Sequence, residues 1–330
     1  MNKYSNLKKV LVFGVGVIGA YLVHSLSEAG NEVTVLVRED RAKMLNENGL
    51  RILHHLQRKE TVDRVEAVSS IEGSHFDAAF VVMPWHKMRA ALPQICAIQT
   101  ELLVLVGNDL SSQEFHDYIR EHSEAKTLLF GFQVSGGKKE KTRYICERLG
   151  AVSMDIGRLH GETDRETRHT VETLFSGAKY RLSWQPDMES FLVCHPAAIL
   201  PIGYLAYICD GDMTSSTREQ RRLMVDASRE AYEFLKAQGI TICPKGDEKF
   251  YEKGPRGALM RFLYFIMAKN KGIGDLIACE HCRNAVTEME QIDLFYEELM
   301  KDYPKNKLQN WNELRGQMPT WESLHRKYGN

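Results

Sequence analysis

Through the first 130 residues, short uninterrupted apolar runs alternate with segments whose apolar residues recur every three or four positions. Residues 9–13 (KVLVF) form the first run, the pattern of a strand buried on both faces. Residues 18–29 place Ile18, Tyr21, Leu22 and Leu26 at helical spacing, and Gly30-Asn31 ends that helix. Residues 32–37 (EVTVLV) predict a second strand, and residues 41–48 a short helix closed by Gly49. Residues 77–82 (DAAFVV), 102–106 (LLVLV) and 126–130 (KTLLF) predict three further buried strands, separated by helices over 86–98 and 111–122. Strands that alternate with helices imply a parallel sheet with right-handed crossovers. Residues 50–54 and 60–68 read as a hairpin or as irregular strands.

The period changes after about residue 131. Residues 143–147 and 151–156 alternate as antiparallel strands would, with Lys138 to Lys141 as a charged turn. A helix is expected over 163–176 and a strand over 179–184. From 187 onward the pattern is helical, with helices expected near 187–208, 216–238, 247–270 and 275–301. The tail from 302 is polar, with Trp311 and Trp321 as anchors. Phe262, Tyr264 and Phe265 sit at core spacing, although an apolar pocket or a dimer face would use the same residues. The reading is α/β: an N-terminal Rossmann dinucleotide-binding domain over 1–180 with a bridging β segment, then a mainly α-helical domain over 181–330.

Composition adds limits. Hydrophobic residues make up 43% of the 330 and charged residues 26%, ordinary for a globular protein. Lys and Arg total 43 against 44 Asp and Glu, so the chain lacks the basic footprint of a nucleic-acid binder. Seven scattered cysteines, an odd number, suggest free thiols in a reducing, cytoplasmic setting. Cys279 and Cys282 are the one close pair, and without a second pair no metal site is expected. Lys8-Lys9 followed by VLVFGVGVIGAYLVHSL resembles a signal peptide, but three glycines interrupt it, and no membrane association is expected.

Those glycines carry the chemistry. Gly14-Val15-Gly16-Val17-Ile18-Gly19 is a GxGxxG sequence placed after a predicted strand and at the start of a predicted helix. Gly14 permits the tight turn, Gly16 lets the backbone approach a pyrophosphate, and Gly19 lets helix and strand pack closely. The helix N-terminus offers unpaired N–H groups and the positive end of a dipole. Arg38 ends the second strand, where a carboxylate would select the ribose hydroxyl of NAD. A guanidinium there suits the 2′-phosphate of NADP (NADPH), so NAD is the less favoured cofactor. Glu39 and Asp40 come next and suit the start of the next helix. Asn108, after LLVLV, lies where open α/β sheets bind ligands, yet Asn108-Asp109 is also a turn-forming pair.

With VLVFGVGVIGAYLVHSLSEAGNEVTVLVR, RAKMLNENGLRI and LLVLVGND in view, the chain resembles the ketopantoate reductase (2-dehydropantoate 2-reductase) family. The resemblance implies a Rossmann domain and a helical domain of the 6-phosphogluconate dehydrogenase C-terminal-like kind, with substrate in the cleft between them. It also implies hydride transfer from NADPH to a small 2-oxo acid, with a lysine protonating the oxygen, and it is compatible with a homodimer. The sequence departs from the family in several places. Leu192 falls where the lysine is expected, and Pro196 and Leu200 fall where asparagines are expected. KNKGIGD (269–275) replaces an acidic pattern, Asp109 replaces a glycine, and Trp85 replaces another lysine. No lysine occurs between Lys179 and Lys236. His195 is then the candidate proton donor on the expected helix, with packing beside Pro196 as its structural alternative. The expected function is an NADP-dependent oxidoreductase acting on a 2-oxo acid or related carbonyl other than ketopantoate. A non-catalytic NADP-binding regulator and an opine-type dehydrogenase are the alternatives.

Overall fold

A computed structural model describes residues 8–329 apart from 126 and 149. It divides into two compact units, Met1–Glu189 and Ser190–Asn330. The division falls beyond the expected residue 180 because the strand at 180–184 hydrogen-bonds into the first unit's sheet.

In the first unit, strands β1 (Lys9–Phe13), β2 (Glu32–Leu36), β3 (Leu50–His54), β4 (Lys59–Asp63), β5 (Glu66–Val68) and β6 (His75–Val82) come first. After them come β7 (Gln99–Val106), β8 (Thr127–Val134), β9 (Gly136–Lys139), β10 (Tyr144–Glu147), β11 (Val152–Gly157) and β12 (Tyr180–Trp184). Its helices are α1 (Val17–Glu28), α2 (Glu39–Asn48), α3 (Trp85–Cys96), α4 (Ser112–His122) and α5 (Arg165–Leu174). Eight strands form the main sheet in the order β12-β11-β8-β7-β6-β1-β2-β5. All its neighbours are parallel except β8 and β11. The five apolar runs of the sequence are the five central strands, as expected of a Rossmann sheet covered on both faces. Lys126, expected to open the fifth of them, lies outside the described residues.

The remaining strands form a second sheet, ordered β4-β3-β10-β9. This sheet corrects two expectations. Only 50–54 and 59–63 make the early hairpin, while 66–68 leaves to pair with β2. The strands at 144–147 and 152–157 do not pair with each other. β10 joins β9 and β3, whereas β11 joins β8 and β12. Lys138 and Lys139 therefore belong to a strand, and the turn falls on residues 140–143. His24 on α1 fastens the second sheet through Nδ1 to the Asp63 carboxylate at 2.9 Å. Beside it, burial pushes the His54 imidazole down to about 4.

The second unit is helical: α6 (Met188–Ile208, which begins in the first unit), α7 (Arg218–Ala237), α8 (Pro255–Lys269), α9 (Lys271–Gly274), α10 (Glu280–Asn284), α11 (Val286–Met300), α12 (Gln309–Gly316) and α13 (Trp321–Tyr328). Two long expected helices are broken. Gly254, at φ +142°, and Pro255 restart the chain, so 247–250 is a separate short turn. A π-helical turn at Asp275–Cys279 and a non-helical Ala285 divide the other. Helix α6 is long and apolar enough to cross a membrane, yet 67% of its most apolar window is buried within the protein.

The tail is held as its tryptophans suggested. Trp311 is buried, and the Trp321 indole N–H donates to Asp293 at 2.8 Å. Asp293, with no exposed surface, also accepts from the Tyr204 hydroxyl and from Arg315 through Nε and Nη2, both at 2.8 Å. Glu230 accepts from the backbone N–H groups of Asn310 and Trp311, where a carboxylate opposes the dipole of α12. The expected aromatic core is only half present. Tyr264 is buried, but Phe262 and Phe265 are 57% and 46% exposed, beside exposed Leu259 and Leu263. Helix α8 buries the side that carries Gly257, Tyr264, Met267 and Ala268, so its other apolar residues face out.

Candidate dinucleotide-binding site

The loop between β1 and α1 has the geometry a pyrophosphate needs. Gly14 takes φ +99°, and a Cβ there would lie 2.4 Å from the Val82 carbonyl oxygen. A Cβ on Gly19 would lie 2.3 Å from the Gly14 carbonyl oxygen, so helix and loop touch through backbone alone. Gly16 differs from both: its φ is −89° and a Cβ would meet nothing within 4 Å. Crowding explains Gly14 and Gly19, and open space at Gly16 leaves room for a ligand to approach the main chain. No side chain caps the N-terminus of α1, so the N–H groups of its first turn, beginning at Val17 and Ile18, remain available to an anion. Val15 is nearly buried, and its carbonyl accepts from the Tyr144 hydroxyl at 2.8 Å.

Arg38 lies two residues beyond β2, at the N-cap of α2, and is exposed. It has no hydrogen-bond or ion-pair partner among the described residues. Arg41 is three residues on, hence on the same helix face. Its Nη2 donates to the Tyr144 hydroxyl at 2.5 Å and its guanidinium lies 5.2 Å from that ring's centre. Its buried Nε–H has no partner. Arg41 and Tyr144 also border a cavity of about 100 Å³ shared with Arg51 and Thr142.

Asn108 is buried just past the carboxyl end of β7. Asp109, only 2% exposed, accepts from the Ser111 amide through Oδ1 at 3.1 Å, while Oδ2 is buried without a partner. Burial pushes its carboxyl up to about 7, against the pull of the Ser111 amide and with Glu114 adding to the rise. Asp109 thus holds its proton far more tightly than an ordinary carboxyl, just past the carboxyl end of β7.

The other sequence candidates belong to the helical unit. Leu192 is buried and Pro196 lies inside α6. His195 is half-buried, with its ring parallel to Phe191 at 6.0 Å. Burial, and secondarily the field of His281, push its imidazole down to about 4. The free protein therefore holds His195 neutral at pH 7, with no imidazolium proton to donate. Cys279 and Cys282 are both buried. Among the described residues, no group of three or more His, Cys, Asp or Glu is placed to hold a metal ion.

Sequence reasoning singled out the glycine loop, Arg38 and Asn108, and all three lie at carboxyl ends of central strands. It missed Tyr144 and the buried state of Asp109. The departure from glycine at position 109 was visible, but its burial was not. Such a loop at the carboxyl edge of a parallel sheet defines a Rossmann-type fold.

Comparison with known proteins agrees. Residues 10–161 match the family model for ketopantoate reductase PanE/ApbA. An uncharacterized oxidoreductase of Bacillus subtilis (strain 168), YkpB, is 40% identical over 171 residues, spanning 52% of this chain and 55% of that protein. The 2-dehydropantoate 2-reductase of Aquifex aeolicus (strain VF5) is 24% identical over 253 residues, 74% of this chain and 79% of that protein. In fold, the dimeric ketopantoate reductase of Staphylococcus aureus superposes with a TM-score of 0.65 at 13% identity, covering 96% of this chain and 99% of that one. A D-mandelate dehydrogenase in ternary complex with NADH and anilino(oxo)acetate superposes with a TM-score of 0.60 at 15% identity, covering 88% and 99%. Residues 10–161 thus carry a ketopantoate reductase (PanE/ApbA) family domain, while the chain spans about half the length of the B. subtilis oxidoreductase it matches.

Proposed function

We propose that the protein is an NADP-dependent oxidoreductase acting on a 2-oxo acid or a related carbonyl other than ketopantoate. The observation that carries this reading is the open, uncapped glycine loop with an unpartnered Arg38 beyond the next strand. Bound nicotinamide would supply the hydride. The chain's own part is to bind and orient. The N–H groups at Gly16, Val17 and Ile18 hold pyrophosphate oxygens, Gly14 and Gly19 keep the loop tight, and Arg38 pairs with the 2′-phosphate. Asn108 orients the cofactor ribose or the substrate from the end of β7. His195 is assigned a hydrogen bond donated to substrate as a neutral imidazole, a role other enzymes give to histidines of lowered pKa. The assembly is a cytoplasmic homodimer, a reading supported by the odd number of scattered cysteines and by the dimeric S. aureus relative.

NADPH oxidation against a panel of 2-oxo acids, with and without amines, tests the reaction, and the amines separate an opine-type dehydrogenase from a simple reductase. Arg38→Ala should weaken NADPH binding by ~1.5–3 kcal/mol and leave NADH nearly unchanged. Equal losses for both cofactors would remove the 2′-phosphate role. His195→Gln should lower turnover by about 10²–10⁴-fold. With the imidazole pushed down to about 4, the wild-type rate should show no decline through pH 6–8 from this residue. Such a decline would mean that His195 works as a charged acid with its basicity restored in the complex. The lowered basicity of His195 also favours a second reading, a dinucleotide-binding regulator without turnover. That reading predicts NADPH binding with no oxidation by any panel member.

A further inference from the structure

The hairpin β9–β10 lies outside the Rossmann strands, yet it reaches the glycine loop. The Tyr144 hydroxyl donates to the Val15 carbonyl and accepts from Arg41, so one side chain ties β10 to both the loop and α2. Gly137 on β9 is equally close: a Cβ there would lie 3.1 Å from Val17 Cγ1, at the first residue of α1. Lys139 stands directly opposite Tyr144 in the antiparallel register. Directly opposed residues project from the same face of a hairpin, ~5 Å apart at Cβ. Lys139 therefore leaves the hairpin on the face that meets Arg41 and the loop.

Three cations converge there without a counter-charge. Burial and the positive fields of Arg41 and Arg38, in that order, hold the Lys139 ammonium below its ordinary range. Neither Lys139 nor Arg38 has an ion pair among the described residues, and the buried Arg41 Nε–H has no acceptor. The nearest carboxylate on the hairpin, Glu140, pairs with Arg143 at 2.8 Å. Glu39 and Asp40 open α2 beside Arg38 but make no ion pair with these cations. Three like charges left together repel one another unless a polyanion joins them. A ribose 2′-phosphate carries close to two negative charges at neutral pH and belongs just past the second strand, where Arg38 already stands.

We infer that Lys139 is a second determinant of NADP specificity, contacting the 2′-phosphate opposite Arg38, and that Tyr144 is a positioning residue that holds Arg41 and the hairpin against the loop. This deepens the cofactor reading above and rests on it. The selectivity of the site would then come partly from a hairpin outside the nucleotide-binding strands.

Calorimetric titration of the full-length protein with NADPH, NADH, 2′,5′-ADP and 5′-ADP tests the inference. Lys139→Ala should raise the Kd of NADPH and of 2′,5′-ADP about tenfold and leave NADH and 5′-ADP within about twofold. Lys139→Arg should restore most of that loss, because charge and reach return. Tyr144→Phe removes no charge, and it should weaken NADPH several-fold more than NADH if the phenol positions Arg41. If Arg38→Ala is NADPH-selective while Lys139→Ala shifts all four ligands equally or none, the inference is overturned and the cofactor reading stands. If Arg38→Ala itself shows no selectivity, both fail together.

Discussion

The Asp293 cluster of the helical unit and the Arg38–Arg41–Lys139 cluster of the sheet unit handle charge in opposite ways. Each oxygen of Asp293 accepts two donors, from Tyr204 and Arg315 on one side and from Arg315 and Trp321 on the other. The tail helices α12 and α13 are held by those bonds and by Glu230. Beside the glycine loop, two cations stand unpaired and the third keeps a buried N–H without an acceptor. Past the end of β7, Asp109 likewise buries a lone oxygen. Thr217 and Gln220 form a capping box on α7 and Asp164 caps α5, but no side chain caps α1. Asp293 finds all of its donors within the fold. Groups left unsatisfied together at one end of a sheet are what a site for an outside ligand requires, since an unpaired buried polar group otherwise costs about 1–3 kcal/mol.

That contrast can be broken most forcefully at Asp293. Asp293→Ala should destabilise the helical unit by ~3–5 kcal/mol, because it orphans the Tyr204 hydroxyl and the Trp321 indole N–H and leaves Arg315 with Glu297 as its remaining carboxylate. Urea unfolding monitored by fluorescence with Trp85 and Trp184 replaced by Phe would report it, since the other two tryptophans lie in this unit. A loss under ~1 kcal/mol would mean that the tail is held by apolar packing alone.

The next largest effect is expected at Asp109, and it has a sign set by pH. Its folded-state pKa, about 7, lies above the ordinary value of 3.8. Below pH 4 the carboxyl is protonated in both states and carries no penalty. Between pH 4 and 7 the unfolded chain releases the proton that the folded chain keeps, so stability falls as pH rises. Asp109→Asn should therefore gain on the wild type by up to about 1.4 kcal/mol per pH unit across that window, levelling off above it. A gain independent of pH would show that the carboxyl is ionised throughout.

The smallest change in stability is expected at Gly16. Gly16→Ala adds a methyl group to open space at an ordinary φ, so stability should move by no more than ~0.5 kcal/mol. Dinucleotide affinity should nevertheless drop for NADPH and NADH alike, because the methyl group enters the space a pyrophosphate would take. Unchanged affinity would separate the loop's shape from ligand binding.

Much of this was legible in the chain. KVLVF, EVTVLV, DAAFVV, LLVLV and the apolar part of KTLLF are each too apolar to be anything but strands buried on both faces. The glycines at 14, 16 and 19 named the loop between the first strand and helix. The second sheet was not legible in the same way. Residues 136–147 are short and rich in charge and glycine, and nothing local distinguishes a turn at 138–141 from one at 140–143. A shift of that size changes the cross-strand partner of every side chain in the hairpin. Tyr144 consequently looked like one more alternating residue, and Lys139 like part of a charged turn. Helix α8 misled for a related reason. Its apolar periodicity was real, but periodicity states which residues share a face and not whether anything covers it.

The sequence by itself determined where strands and helices form and which backbone positions must be glycine. Both are set by forces that act within a few residues: steric limits on φ and ψ, and the spacing of apolar side chains. It also placed Arg38 and Asn108, because chain order fixes which residue comes after a given strand. Tertiary structure alone decided that Lys139 faces Arg41, that Arg41 keeps a buried N–H without an acceptor, and that Asp109 loses its water. Each of these depends on which distant segment comes alongside. Register, burial and the electrostatic field are properties of neighbours in space, and the chain specifies them only once it has folded.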